Sequence, residues 1–236
     1  IIVNCAAHTA VDKAESELEL SEQLNHLAVE NLAKIAKEKD MQLIHVSTDY
    51  VFDGSSKSPY SETHPANPQS VYGQTKLAGE RAMQKINPSH SAIIRTSWVY
   101  SSYGNNFVKT MLRLSDSRDE LSVVDDQVGG PTPARAIAAA CLSIAQQLCD
   151  APTKTGIYHF SGAPDVSWYE FARAIFAQAE RSTRVIPIAT HDYPTPAARP
   201  LNSRLDCQTT EQVFAIPRPD WRASLANTLT EIGITR

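Results

Sequence analysis

The chain has 236 residues, long enough for one large domain, or one and a half small ones, with a sizeable buried core. With 42% hydrophobic and 20% charged residues and no Gly or Pro periodicity, the composition excludes a disordered or collagen-like chain. A formal net charge of −4, from 22 basic against 26 acidic side chains with no basic run, gives no footprint for nucleic acid or an anionic membrane, so an anionic ligand needs a local cluster.

The first residues, Ile1-Ile2-Val3-Asn4, read as a buried strand with no initiator Met, signal peptide or leading turn ahead of it. The expectation is a fold entered part-way, with its N-terminal part lying before Ile1. Up to about Val124, short β-branched runs alternate with amphipathic stretches, which predicts βαβ units on a parallel sheet, with strands at residues 1–4, 42–47, 92–96 and 121–124. Between the first two, Leu24, Leu27, Ala28, Leu32 and Ile35 recur at helical spacing, and Lys34, Lys37 and Lys39 gather where the helix dipole favours cations. Further helices are predicted over 70–85 and 105–114. Another follows Pro131 and Pro133, carrying Ile137, Cys141, Ile144 and Leu148 on one face.

After Asp150 the pattern changes. A strand is predicted over 155–160, a helix capped by Ser167 runs to Ala179, and another strand covers 185–188. The Pro-rich passage 193–200 reads as a surface or cleft loop, and 208–234 holds two helical patterns broken by Pro217 and Pro219. Apolar stretches such as 136–142 fall far short of the roughly 20 residues that span a bilayer, so the reading is a soluble protein. Cys5, Cys141, Cys149 and Cys207 show neither CxxC pairing nor ligand-like His spacing, so neither a catalytic metal nor a disulfide framework is expected. The default is a reducing, cytoplasmic compartment, with Cys141 and Cys149 as small buried hydrophobes on a helix.

The strongest chemical signal is Tyr72-Gly73-Gln74-Thr75-Lys76, preceded by Ser47-Thr48-Asp49 at a strand end. Positions i and i+4 share a helix face, so the Tyr72 hydroxyl and the Lys76 ammonium are expected in one space. A nearby ammonium would lower the tyrosine pKa from about 10 and ready it for proton exchange near neutrality. Thr48, at the carboxyl end of a parallel strand where open α/β sheets gather ligands, could give a second hydrogen bond to the same substrate oxygen. Taken alone, a Tyr and a Lys at this spacing also read as a surface pair.

With these residues in view, the sequence resembles the short-chain dehydrogenase/reductase superfamily in its extended, sugar-nucleotide branch, and within it the dTDP-4-dehydrorhamnose reductase family. The resemblance runs through residues 3–15, Ser47-Thr48-Asp49-Tyr50-Val51-Phe52, 72–80, Arg95-Thr96-Ser97-Trp98-Val99-Tyr100, Gly104-Asn105-Asn106-Phe107, Asp125-Asp126-Gln127, Gly130-Pro131-Thr132 and 199–205. It implies an α/β fold: a Rossmann-like doubly wound parallel sheet over 1–150 lacking its first βα units, then a smaller α/β substrate-binding lobe over 151–236. The implied reaction is hydride transfer from NADPH or NADH to the C4 carbonyl of dTDP-4-dehydro-L-rhamnose. Tyr72 would donate the proton, Lys76 would hold the nicotinamide ribose and tune Tyr72, and Thr48 would bind the C4 oxygen.

By the same resemblance Ala7, His8, Thr9 and Val46 would line the cofactor, and Asp49 and Trp98 would contact the sugar. Arg199 and Arg204 would help hold the dTDP diphosphate, for which guanidinium forks are suited. Bland readings stand beside these: Ala6-Ala7 as a tight strand exit, His8 as an exposed polar turn residue, Val46 and Trp98 as core, Asp49 as a turn former, and the arginines as a solvated structural loop. The glycine-rich turn for the pyrophosphate does not occur in these residues and is expected before Ile1, so the NADPH or NADH preference is not readable. Family members can pair through a metal-linked interface, which makes a homodimer one implied assembly; no nucleic-acid or membrane partner is implied.

Two rival readings belong to other classes. One is a non-catalytic regulatory subunit of the methionine adenosyltransferase β type, which is similar to this family. The other is a related sugar-nucleotide epimerase or dehydratase, though a dehydratase would place an acid–base Glu pair where Asp49-Tyr50 stands. The intact set of Thr48, Tyr72 and Lys76 with Trp98 and 199–204 favours the reductase.

Overall fold

The computed structural model describes residues 1–235. In chain order the main elements are β1 (Ile2–Asn4), α1 (Ala28–Glu38), β2 (Leu43–Thr48), α2 (Val71–Ile86), β3 (Ser91–Thr96), α3 (Phe107–Ser115), β4 (Glu120–Val124), α4 (Ala134–Asp150), β5 (Gly156–His159), α5 (Trp168–Gln178), β6 (Arg184–Ile188), α6 (Gln208–Phe214) and α7 (Trp221–Glu231). No helix among the described residues is long and apolar enough to cross a membrane.

Strands β1, β2, β3 and β5 form one parallel sheet in that order. Every residue of β3 is buried, as a parallel strand covered on both faces requires. Alternation along the strands sorts the core. Leu43 and Ile93 face α1 and α2 with Val29, Ala33, Ala36 and Met83, whereas Ile44, Ala92 and Ile94 face α4 and α6 with Ile137, Ile144, Leu148 and Phe214. The second lobe gathers α3, β4, α5, β6 and α7 around Met111, Leu121, Val123, Phe171, Ile175, Trp221 and Leu225.

The strand expected at 121–124 forms, but outside the first sheet. It pairs in parallel with β6, from Glu120 opposite Arg184 to Val124 opposite Ile188, and β5 takes the place beside β3. Its burial explains this: Leu121 and Val123 are buried while Glu120 and Ser122 are exposed, a one-faced pattern unsuited to a sheet covered on both sides. The chain crosses between lobes several times, since α3 and β4 precede α4 and β5, and α6 returns behind the first sheet after β6. Of the two cysteines expected to be buried on α4, Cys141 is buried and Cys149 is exposed. Leu148 takes the core-facing position at the end of that helix.

Ahead of α1 the chain is helical over Leu18–Glu22 and then makes a π-turn over Gln23–Leu27, a feature that often marks functional sites. Asn25 in this turn is fully buried. Its amide oxygen accepts the His8 N–H at 2.8 Å, and its nitrogen donates to the His8 carbonyl and to Thr75 Oγ1, both at 3.1 Å. The loop after β1 is thereby tied to α2. A Cβ at Gly79 would lie 2.2 Å from the Asn25 carbonyl oxygen, so α2 can approach the π-turn only through glycine. Gly79→Ala is expected to destabilise by about 1–3 kcal/mol through overpacking. A thermal melt should show a loss of several degrees; an unchanged Tm would contradict the contact.

Candidate active site

The site grows from the end of β2. Thr48 Oγ1 accepts the Tyr50 N–H at 3.1 Å and donates to Asp49 Oδ1 at 3.1 Å, opening the 3-10 turn Asp49–Val51. A continuing strand would send Asp49 to the opposite face, but the turn keeps both side chains together. Helix α2 begins where the Ser70 hydroxyl accepts the Gly73 N–H at 3.2 Å. A Cβ at Gly73 would stand 2.2 Å from the Tyr50 carbonyl oxygen, so glycine lets the first turn of α2 lie on the turn after β2. In consequence the Tyr72 ring meets Tyr50 edge-on at 5.5 Å, which brings the phenol toward Thr48, two residues before Tyr50.

Below this pair, β2 and α2 are joined by two rungs of matching length. Two strand residues rise about 6.6 Å and four helix residues about 6 Å, so His45 and Ser47 can pair with Lys76 and Glu80. Lys76 Nζ lies 3.1 Å from His45 Nε2 and donates to the Val46 carbonyl at 2.7 Å, while Ser47 Oγ donates to Glu80 Oε1 at 2.5 Å. Arg95, opposite Ser47 on β3, donates to Glu80 Oε1 at 3.0 Å through Nε and to Oε2 at 2.6 Å through Nη2. All of these side chains are buried.

The expectation that Lys76 acidifies Tyr72 is corrected by this arrangement. The Lys76 head leans onto the strand, where a backbone carbonyl and a ring nitrogen draw it; a shared helix face aligns Cβ directions, not the ends of long side chains. Burial pushes the Tyr72 phenol above its ordinary pKa, the Thr48 hydrogen bond opposes the rise, and the charge of Asp49 adds to it. Tyr72 is therefore held protonated, which is the form that gives a proton away. Burial also lowers Lys76, to about 8, against the opposing pull of Glu80 and Cys5.

Asp49 is 3% exposed, and burial raises its carboxyl to about 6 against the hydrogen bond from Thr48; among the described residues its Oδ2 has no partner. Trp98 has a φ of +50° and stacks one face on Trp168 at 3.6 Å, with Gly129 so close to the indole that a Cβ there would come within 2.7 Å. A bulky residue at positive φ marks a constrained position. Arg199 donates to Asp12 Oδ2 at 2.6 Å and to the Tyr50 hydroxyl at 3.2 Å, and lines a cleft with Tyr50, Phe52, Gln69 and Ser70. Arg204 is engaged by Asn202 Oδ1 at 2.8 Å and the Lys57 carbonyl at 2.7 Å, which clamps the loop around Lys57.

The loop after β1 carries the other expected cofactor contacts. Ala7 is half-buried and Thr9 exposed; His8 is buried rather than an exposed turn residue, because Asn25 grips its backbone and Glu17 Oε2 lies 3.3 Å from its Nε2. Val46 is half-buried, with its carbonyl on Lys76. These residues fit the nicotinamide half of a dinucleotide: small side chains flank the carboxyl ends of parallel strands, and Lys76 keeps an N–H beyond the two contacts it makes. The sequence reading missed His45, Glu80, Arg95, Asn25 and Trp168. The period-2 placement of His45 and Ser47 against the period-4 placement of Lys76 and Glu80 was a readable signal for the first two.

Residues 1–234 match the family model described as the RmlD substrate binding domain. The dTDP-4-dehydrorhamnose reductase of Escherichia coli K12 is 44% identical over 241 residues, covering 100% of this chain and 80% of the relative. A crystal structure of a dTDP-4-dehydrorhamnose reductase from Clostridium acetobutylicum superposes with a TM-score of 0.90 at 39% identity, covering 97% of this chain and 80% of that one. The Bacillus anthracis enzyme in complex with NADP gives 0.89 at 36% identity, covering 98% and 80%. With a family match over nearly its whole length and relatives of this identity, the chain belongs to the RmlD family of dTDP-4-dehydrorhamnose reductases.

Proposed function

We propose that this chain reduces the C4 carbonyl of dTDP-4-dehydro-L-rhamnose to dTDP-L-rhamnose, using NADPH or NADH, with Tyr72 as the proton donor. The reading rests on one observation above all: Tyr72, in the first turn of α2, packs edge-on to Tyr50 at 5.5 Å, beside Thr48 at the carboxyl end of a parallel strand. The reduced nicotinamide supplies the hydride when bound. As negative charge gathers on the C4 oxygen, Tyr72, kept neutral by burial, gives its proton to that atom, and Thr48 turns its hydroxyl from Asp49 Oδ1 to donate a second hydrogen bond to it. Lys76 holds the ribose hydroxyls, with Ala7, His8, Thr9 and Val46 along the same edge.

Asp49, through its free Oδ2, accepts from sugar hydroxyls, and the face of Trp98 not covered by Trp168 packs on the deoxysugar. Arg199 exchanges Asp12 for the diphosphate, and Arg204 supports the same loop. In domain terms, β1, α1, β2, α2, β3, α4, β5 and α6 form the dinucleotide-binding part and α3, β4, α5, β6 and α7 the substrate lobe, so the change near residue 150 is no simple boundary. A cytoplasmic homodimer completes the reading.

The test is the full-length protein with NADPH and dTDP-4-dehydrorhamnose. Stoichiometric cofactor oxidation is expected; turnover without net oxidation would point to an epimerase, and neither, with tight binding to another enzyme, to a regulatory subunit. Thr48→Val is expected to reduce kcat/KM by about 100-fold, the scale for removing one donor to a developing oxyanion. Steady-state kinetics check it; an unchanged value would remove Thr48 from the reaction.

A further inference from the structure

Lys76 and His45 are 1% and 0% exposed, and their contact does not admit every protonation state. The Asn4 amide oxygen accepts the Ala6 N–H at 3.1 Å, so the amide nitrogen donates to His45 Nδ1, 3.0 Å away. A neutral imidazole carries one ring proton, which that donation places on Nε2. Nε2 faces Lys76 Nζ at 3.1 Å, and an ammonium there would meet the ring N–H donor to donor. An amine instead completes a row: Asn4 to His45, His45 to the Nζ lone pair, and Nζ–H to the Val46 carbonyl at 2.7 Å.

Charging the imidazole is not an escape, since burial first, and Lys76 second, hold His45 well below its ordinary pKa. The carboxylate one turn along α2, Glu80, is occupied by Arg95 on β3 and by Ser47 on β2. Among the described residues, the other titratable group that acts on Lys76 is Cys5, after β1; Tyr72 lies one turn earlier on its own helix.

Resting on the cofactor reading above, we infer that His45 is a positioning residue which favours the uncharged amine of Lys76 in the free protein, and that Lys76 takes up a proton when a nicotinamide dinucleotide binds at alkaline pH. The ribose hydroxyls are acceptors that an ammonium can use and the parked position lacks. The lowering of Lys76 to about 8 sets the range in which the linkage shows. Lys76 is a lysine whose pKa is depressed before binding, so the proton is taken up increasingly as pH rises past that value.

The experiment is calorimetric binding of NADPH to the full-length protein between pH 7 and 9, in buffers of differing ionisation enthalpy. Proton uptake should climb toward one per NADPH at pH 9, and Kd should weaken by about tenfold per pH unit above pH 8. In His45→Gln, whose amide oxygen accepts from an ammonium, uptake should vanish and Kd should stay flat. Absent uptake in the wild type, or unchanged uptake in His45→Gln, would overturn the inference while leaving the cofactor reading intact. No NADPH binding at any pH would overturn both. Should His45→Gln not fold, as judged by its thermal melt, the Lys76 Nζ resonance of 15N-lysine-labelled wild type decides. Titration near 8 supports parking, and an unshifted lysine titration overturns it.

Discussion

Tyr72→Phe is expected to lower kcat by about 10²–10⁴-fold, the range for losing a positioned general acid, while binding of NADPH and nucleotide sugar persists. The substitution keeps the ring, which is 9% exposed and packs edge-on to Tyr50 at 5.5 Å, so the turn after β2 and the start of α2 are preserved. What disappears is the O–H beside Thr48. The raised phenol pKa sharpens the expectation. An acidified tyrosine would spend part of its time as phenolate and have nothing to give in the reductive direction, whereas Tyr72, held up by burial, stays protonated across the neutral range. The measurement is single-turnover NADPH oxidation, with equilibrium binding of both ligands alongside. Near-normal turnover would dismiss Tyr72 as the donor.

The second large effect lies beneath the site. Arg95→Met is expected to destabilise the protein by about 3–5 kcal/mol, because it leaves the Glu80 carboxylate buried and uncompensated. Glu80 is 1% exposed and Arg95 3%, and among the described residues the carboxylate is hydrogen-bonded by the Ser47 hydroxyl and by Arg95, which also lies over the Phe52 ring at 5.0 Å. Replacing both partners, as Arg95→Met with Glu80→Leu, should recover most of the loss, since desolvation then falls on neither charge. Chemical denaturation of the single and double variants distinguishes the outcomes: a double variant as unstable as the single would place the cost in lost packing instead. Because Glu80 and Lys76 share α2, the single variant is also expected to weaken NADPH binding.

Much of the architecture was legible because each part rests on a local rule. Ile44, Ala92 and Ile94 alternate against Leu43 and Ile93, Ser167 caps its helix with Glu170 closing the box, and Ile137, Cys141, Ile144 and Leu148 trace one face of α4. Thr48 and Tyr72 were legible for the same reason: a strand end and a helix start lie close in any βα unit. The sheet to which Leu121 and Val123 belong was not, because pairing with β6 is a contact between segments about 64 residues apart that no local pattern encodes.

The direction of Lys76 was misread because helix periodicity fixes the Cβ and leaves a four-carbon stem free to choose its partner. The role of His45 was hidden in a run, Leu43 to Thr48, that reads as plain buried strand. The π-turn at Gln23–Leu27 shifts the helical phase by a residue and so conceals that Asn25 points inward. Trp168 joins the site only through tertiary packing on Trp98, across the two lobes.

The most direct measurement follows the hydride itself. NADPH deuterated at the transferable position of the nicotinamide is supplied with dTDP-4-dehydrorhamnose to the full-length protein, and the sugar product is inspected by NMR. Deuterium at C4 of a dTDP-L-rhamnose product, one equivalent per cofactor oxidised, is the expected result; a product without deuterium at C4, or cofactor left unoxidised, would contradict the reductase reading.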